Sequence, residues 1–241
     1  MESEAITAAG LRCAKWPKAK KTAAILIDDI TRPTPTHLIL PIIVKELEVG
    51  GINRSDMTVI IAGGAHRETT PDHLMKKIGP ALLNELNILI HDCENNLLFL
   101  GKSKKGTPIH VNRTYAESDL KIGIGTILPH PIAGFSSGSK IAVPGVCGSE
   151  TIRYLHDYIQ CYQHDYHGGP GKRVGEPDNV FRKEIDAIRD IAGLDFLVNA
   201  VIDSQREILD LFAGGMERSL PKACGQLMPY SGSRPGKRTS S

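Results

Sequence analysis

Residues 23–35 read AAILIDDITRPTP, an apolar run that ends at two aspartates and leads into a turn with two prolines. A short run of this kind is typical of a parallel strand buried on both faces. Further apolar runs lie at 57–66, 86–92 and 120–128. Helices are predicted at 36–47, after Thr70-Pro71, at 149–161 and at 179–192. Strands that alternate with helices predict an α/β fold, a Rossmann-like parallel sheet flanked by helices.

Two β-rich stretches, 97–113 and 195–215, each contain a polar turn, and we predict that they form β-hairpins added to the sheet. Residues 1–22 lack clear periodicity and are interpreted as an N-terminal lead-in, followed by the α/β domain at 23–213. With 41% hydrophobic residues in 241, the chain can build a packed core. Residues 214–241 are rich in Gly, Pro and Ser, which predicts a tail or linker.

Charge and cysteine content exclude several classes of protein. The 29 basic and 27 acidic residues give a net charge of +2, which is too balanced to indicate a nucleic-acid partner. The five cysteines are widely spaced and form no CxxC pair, so we expect neither a disulfide framework nor a zinc ribbon. The chain has no apolar run of the ~20 residues that cross a bilayer. We therefore predict a cytoplasmic protein with no membrane partner.

Three polar motifs follow the carboxyl ends of predicted strands. Asp29 and Arg32 lie in DDITRPTP, His66 lies in GGAHRET (63–69), and His130 follows the strand at 120–128. In open α/β sheets, ligands bind in the crevice beyond these strand ends. The histidines suit acid/base or ligand roles, and the arginine suits a carboxylate or phosphate. Taken singly, each of these residues also fits an ordinary loop or turn.

The segment PHPIAGFSSGSKIAVPG (129–145) holds Lys140 between a Gly/Ser loop and an apolar stretch. Desolvation there would lower the pKa of the lysine and favour a neutral, nucleophilic amine. The loop does not fit the Walker phosphate motif, because Gly134 and Gly138 are separated by three residues and Lys140 is followed by isoleucine. His156 lies on a predicted helix beside apolar residues, which by itself indicates a helix-surface histidine.

The four motifs together, in this order over about residues 23–214, resemble the nickel-pincer lactate racemase family. The resemblance implies a cofactor, a pyridinium bis-thiocarboxylate mononucleotide derived from nicotinate, which holds nickel in a pincer. It implies that Lys140 is the covalent attachment point of this cofactor and that His156 ligates the nickel. It also implies that Asp29 supports cofactor binding, and that cofactor-synthesis enzymes are partners of the protein.

The same resemblance implies a racemase or epimerase of lactate-like 2-hydroxy acids that acts by hydride transfer. In that function His66 and His130 form the acid/base pair, and Arg32 lies near the substrate. Family members normally carry a C-terminal domain, so 214–241 is expected to link to a domain absent from this chain. The alternative is a non-catalytic domain that retains a metal or mononucleotide site.

Overall fold

A mixed sheet of six strands forms the centre of the protein. The structure is a computed structural model, and it describes residues 20–66, 69–163 and 179–215. The strands of this sheet are β1 (Ala23–Ile27), β2 (Met57–Ile61), β3 (Asn87–Ile90), β6 (Leu120–Thr126), β9 (Phe196–Ile202) and β10 (Ile208–Gly214). They lie in the order β10-β9-β6-β1-β2-β3, and all neighbours are parallel except β9 and β10. The predicted fold class is confirmed.

Helices cover both faces of this sheet. They are α1 (Thr36–Val49), α2 (Pro71–Ile78), α3 (Pro80–Leu83), α4 (Arg113–Glu117), α5 (Ser149–Gln163) and α6 (Val180–Ala192), with short 3-10 helices at Arg54–Asp56 and Gly138–Ile141. One core lies between the sheet and α1, which buries Ile39, Ile43 and Leu47. The core on the opposite face takes apolar side chains from α5 and α6. None of the described helices is long and apolar enough to cross a membrane.

Antiparallel pairs supplement the main sheet. Strands β4 (Leu97–Lys102) and β5 (Pro108–Asn112) form the first predicted hairpin, and β9 with β10 forms the second. A third, very short pair joins β7 (Pro129–His130) to β8 (Gly134–Phe135). Most of the predicted lead-in at 1–22 and of the predicted tail at 214–241 lies outside the described residues.

The apolar run at 57–66 leaves the sheet earlier than its composition predicts. Strand β2 ends at Ile61, and the chain then turns through Gly63 and Gly64. Gly64 has φ +58°, and its N–H donates to the carbonyl of Gly145 at 2.9 Å. A Cβ atom on Gly64 would lie 3.4 Å from the carbonyl oxygen of Pro144, in a backbone conformation that side chains disfavour. The turn places His66 at the end of the sheet.

A buried ion pair fixes the loop that follows β1. The amine of Lys77, on α2, contacts a carboxylate oxygen of Asp28 and donates to the carbonyl of Arg32 at 3.0 Å. The hydroxyl of Thr34 donates to the second oxygen of Asp28. Burial raises the pKa of Asp28 even though Lys77 and Thr34 favour its charged form. The pair therefore ties a helix to the loop that carries Arg32.

Lys77→Met should lower the free energy of unfolding by about 3–5 kcal/mol, because it leaves the Asp28 carboxyl buried without its cation. Urea denaturation followed by circular dichroism measures this change. Lys76→Met is the matched control, since Lys76 is the exposed neighbour on the same helix. Equal stability of the two variants would show that the buried pair does not stabilise the fold.

Candidate active site

The carboxyl ends of β1, β2 and β6 open into a cavity of about 330 Å³. The topological switch point of the sheet lies between β1 and β6: β2 and β3 are added on one side of β1, and β6 and β9 on the other. Open α/β sheets form ligand crevices at such a point. All the side chains singled out from the sequence line this one cavity: Asp29, Arg32, His66, His130, Lys140 and His156. Residues separated by up to 127 positions in sequence thus meet in one cavity, and four of them lie on the segments that follow three parallel strands.

His66 is backed by a carboxylate. Its Nδ1 lies 2.6 Å from Oδ2 of Asp29, while Oδ1 of Asp29 accepts from the N–H of Thr31 at 2.8 Å and from its hydroxyl. Burial raises the pKa of Asp29, but the bonds from Thr31 and His66 outweigh it and hold the pKa below its usual range. An ionised carboxylate only accepts, so Nδ1 carries a proton. In the neutral ring Nε2 then keeps its lone pair and can act as a base.

His130 has the opposite tautomer. Its Nδ1 accepts from the N–H groups of Ile132 at 3.2 Å and Ala133 at 3.1 Å. The neutral ring must therefore carry its proton on Nε2, which lies 3.0 Å from Nζ of Lys140. An amine can accept this hydrogen bond only if it is uncharged. The sequence places these two residues in one segment, but nothing in it indicates that their side chains are in contact.

The electrostatic environment favours the same protonation states. Burial, together with the charges of Arg182 and Arg32, lowers the pKa of Lys140 to about 7. Burial and the charges of Lys140, Arg32 and Arg182 lower the pKa of His130 to about 4. At neutral pH the imidazole is therefore neutral, and a large fraction of the amine is uncharged. Every charged group that shifts these two pKa values is a cation.

Arg182 was not identified from the sequence, where it is one of several basic residues on a predicted helix. It is buried on α6 and donates to the carbonyl oxygens of Ala133, Phe135 and Ser137. Ser137 has φ +58°, and its hydroxyl donates to Oδ1 of Asn199 at 2.6 Å. These bonds hold the segment between His130 and Lys140 in a loop that is too irregular to satisfy its own carbonyl groups.

His156 lines the cavity, and one of its two ring nitrogens has no hydrogen-bond partner in the part of the chain that the structure describes. It lies on α5, and its Nδ1 is 2.7 Å from the carbonyl oxygen of Ile152, one helical turn earlier. A carbonyl only accepts, so Nδ1 carries the proton, and Nε2 of the neutral ring has the lone pair that a metal requires. Among the described residues, no three His, Cys, Asp or Glu side chains form a metal cluster. A metal bound by His156 would need further ligands from a bound molecule.

Residues 6–166 match the family model of the lactate racemase N-terminal domain. The chain belongs to this family, and the resemblance carried by the four motifs is confirmed. The chain is 32% identical over 213 residues to the lactate racemase of Thermoanaerobacterium thermosaccharolyticum, and 30% identical over 210 residues to that of Lactiplantibacillus plantarum. Each alignment covers 86% of this chain and 48% of the relative. The chain spans about half the length of these curated relatives.

Solved structures agree on the fold. The lactate racemase apoprotein from T. thermosaccharolyticum superposes with a TM-score of 0.82 at 29% identity, covering 94% of this chain and 55% of that one. A protein from Thermotoga maritima superposes with a TM-score of 0.77 at 23% identity, covering 95% of this chain and 59% of that one. The second likeness concerns the fold alone.

Arg182→Gln should raise the pKa of Lys140 from about 7 by about one unit, because a neighbouring cation disfavours a second positive charge. The pH dependence of Lys140 acetylation, followed by peptide mass spectrometry, measures the shift. The control is Arg153→Gln, which removes an exposed arginine from α5. If the Lys140 titration is the same in both variants, Arg182 does not set the charge of the amine.

Proposed function

We propose that this domain binds a nickel-carrying, nicotinate-derived mononucleotide and racemises lactate-like 2-hydroxy acids. The observation that carries this proposal is the set of four complementary groups in one cavity: a carboxylate-backed histidine, an uncharged lysine, a histidine with a free Nε2, and an arginine. Membership of the lactate racemase N-terminal domain family supports the same chemistry.

The residues present fit such a cofactor. The Lys140 amine is uncharged in its contact with His130, as a covalent bond to a carbonyl-type carbon requires. Nε2 of His156 would complete a nickel environment of sulfur and imidazole ligands. Within the described residues, the buried hydroxyl of Thr126 lines the cavity without a hydrogen-bond partner and can bond a polar group of the ligand. When bound, the cofactor supplies an acceptor for the hydride of the substrate.

Binding and orienting the substrate falls to the protein. The guanidinium of Arg32 lines the cavity and offers paired N–H donors to a carboxylate. Within the described part of the chain, Arg32 makes no ion pair with an acidic side chain. Its loop is held by Lys77, which bonds the Arg32 carbonyl. The substrate carboxylate would therefore be bound at a fixed position beside the two histidines.

His66 and His130 are prepared for different parts of the proton transfer. Nε2 of His66 can accept the substrate hydroxyl proton as C2 loses its hydride, and Asp29 stabilises the resulting imidazolium. His130 presents a donor at Nε2 and can hydrogen-bond the substrate oxygen. For His130 to accept a proton at Nε2, its Nδ1 must give up the backbone N–H groups and become protonated. Racemisation in both directions thus requires a rearrangement at His130 but not at His66.

His156→Ala should abolish nickel binding while the adduct on Lys140 persists, since the two attachments use different side chains. The protein is produced together with cofactor-synthesis enzymes, and nickel content and intact mass are measured. His37→Ala, an exposed histidine on α1, should retain nickel. A His156→Ala protein that holds as much nickel as its parent would rule out the ligand role.

His66→Ala should keep nickel and lower racemisation of D- and L-lactate by about 10²–10⁴-fold, the usual contribution of a positioned general base. Chiral chromatography gives the rates. Asp29→Asn should lower them less, because the base remains and only its supporting charge is lost. Unchanged rates in His66→Ala would contradict the assignment. A nickel-loaded parent protein that racemises no 2-hydroxy acid would instead support a non-catalytic binding domain.

A further inference from the structure

Lys140 differs from the other buried lysine of this site. Lys77 is paired with Asp28. In the described part of the chain, the Lys140 amine has one hydrogen-bond partner, His130 Nε2, and no carboxylate pairs with it. The charged groups that lower its pKa are the cations Arg182 and Arg32. A cavity-lining amine in these surroundings is a nucleophile, whereas most lysines are protonated at neutral pH.

The cavity around this amine also has the features of a site for a small anion with an apolar substituent. The Arg32 guanidinium provides the donors for a carboxylate. Ile132, Ile141 and Leu155 form apolar walls around the same space. A molecule that combines a carboxylate, an adjacent carbonyl carbon and a short alkyl group can contact all three features together. The 2-oxo acids, such as pyruvate, have this composition.

We propose that, in protein without cofactor, Lys140 forms a reversible imine with small 2-oxo acids whose carboxylate binds Arg32. The Nζ lone pair attacks C2, so a carbon–nitrogen bond forms, the carbon–oxygen π bond breaks and one amine proton moves to the oxygen. The resulting hydroxyl then leaves as water with the second amine proton, and a carbon–nitrogen double bond remains. The step involves no oxidation or reduction, and the proposal needs neither nickel nor racemisation.

His130 assists imine formation by hydrogen-bonding the Lys140 amine. Its Nε2–H donates to Nζ at 3.0 Å before the reaction and is next to the carbonyl oxygen once attack begins. The backbone N–H groups of Ile132 and Ala133 keep that proton on Nε2. A 2-oxo acid and the cofactor would therefore compete for one amine. Pyruvate should delay loading of the protein by occupying Lys140.

The test uses the full chain made without cofactor-synthesis enzymes. It is incubated with pyruvate and sodium cyanoborohydride, which reduces the imine to a stable secondary amine, and the adduct is located by tryptic mass spectrometry. Modification of Lys140 blocks cleavage after it, so residues 122–153 appear as one peptide. We expect one adduct, on Lys140, with Lys77 and the exposed Lys104 as internal references that remain unmodified.

The pH dependence of imine trapping distinguishes Lys140 from exposed lysines. Because the pKa of Lys140 is lowered to about 7, trapping should rise through pH 7 and level off above it. An exposed lysine would continue to gain reactivity until about pH 10. Arg32→Gln should reduce trapping of pyruvate roughly tenfold more than trapping of acetone, the scale of a charged hydrogen bond, because both ketones react with the same amine and only pyruvate has a carboxylate for Arg32.

Lys140→Arg should abolish the adduct while it retains a basic side chain. Mapping of the unaltered protein gives the same answer if that variant fails to fold. Absence of an adduct on Lys140, or labelling of Lys104 to the same extent, would overturn the proposal. Trapping that rises only near pH 10 would also overturn it. None of these outcomes depends on nickel, so failure here and failure of the racemase proposal are distinguishable.

Discussion

Parallel pairing of β1 with β2 and with β6 is the constraint on which the site depends. In-register pairing from Ala23 onwards brings the three strands to the same edge of the sheet, so the loops that follow them meet there. These loops carry the carboxylate, the arginine and two histidines of the cavity. An antiparallel central strand would send one of these loops to the opposite edge, 15–20 Å away over a strand of about five residues.

The chemistry of the cavity depends on what each histidine is bonded to. Asp29 and the carbonyl of Ile152 are acceptors, so they place the protons of His66 and His156 on Nδ1 and leave Nε2 with a lone pair. The N–H groups beside His130 are donors, and they have the reverse effect. Three residues of one type thus present different ring nitrogens: His66 and His156 have a lone pair at Nε2, and His130 has a donor there. The distinction comes from the hydrogen-bond partner of Nδ1 in each ring.

Two buried cations support the site from outside the lining of the cavity. Lys77 fixes the Arg32 loop through Asp28 and backbone carbonyls, and Arg182 fixes the loop between His130 and Lys140. Burying a charge is costly unless it is fully hydrogen-bonded, so both loops are held firmly. Arg182 has a second effect, because its charge favours the neutral form of the Lys140 amine. Structural stability and reactivity are therefore coupled at this residue.

The sequence by itself determined the succession along the chain of the six main-sheet strands and the four longer helices, the parallel sheet and the two hairpins, because apolar periodicity and Gly/Pro breaks are local properties. It also located the side chains of the cavity, since each motif directly follows a predicted strand or lies on a helix next to one. Only the tertiary structure decided the pairing of Asp29 with His66, the contact of His130 with Lys140 and the function of Arg182. These contacts join different elements at atomic distances, and protonation depends on such distances and on burial, neither of which a linear pattern of residues contains.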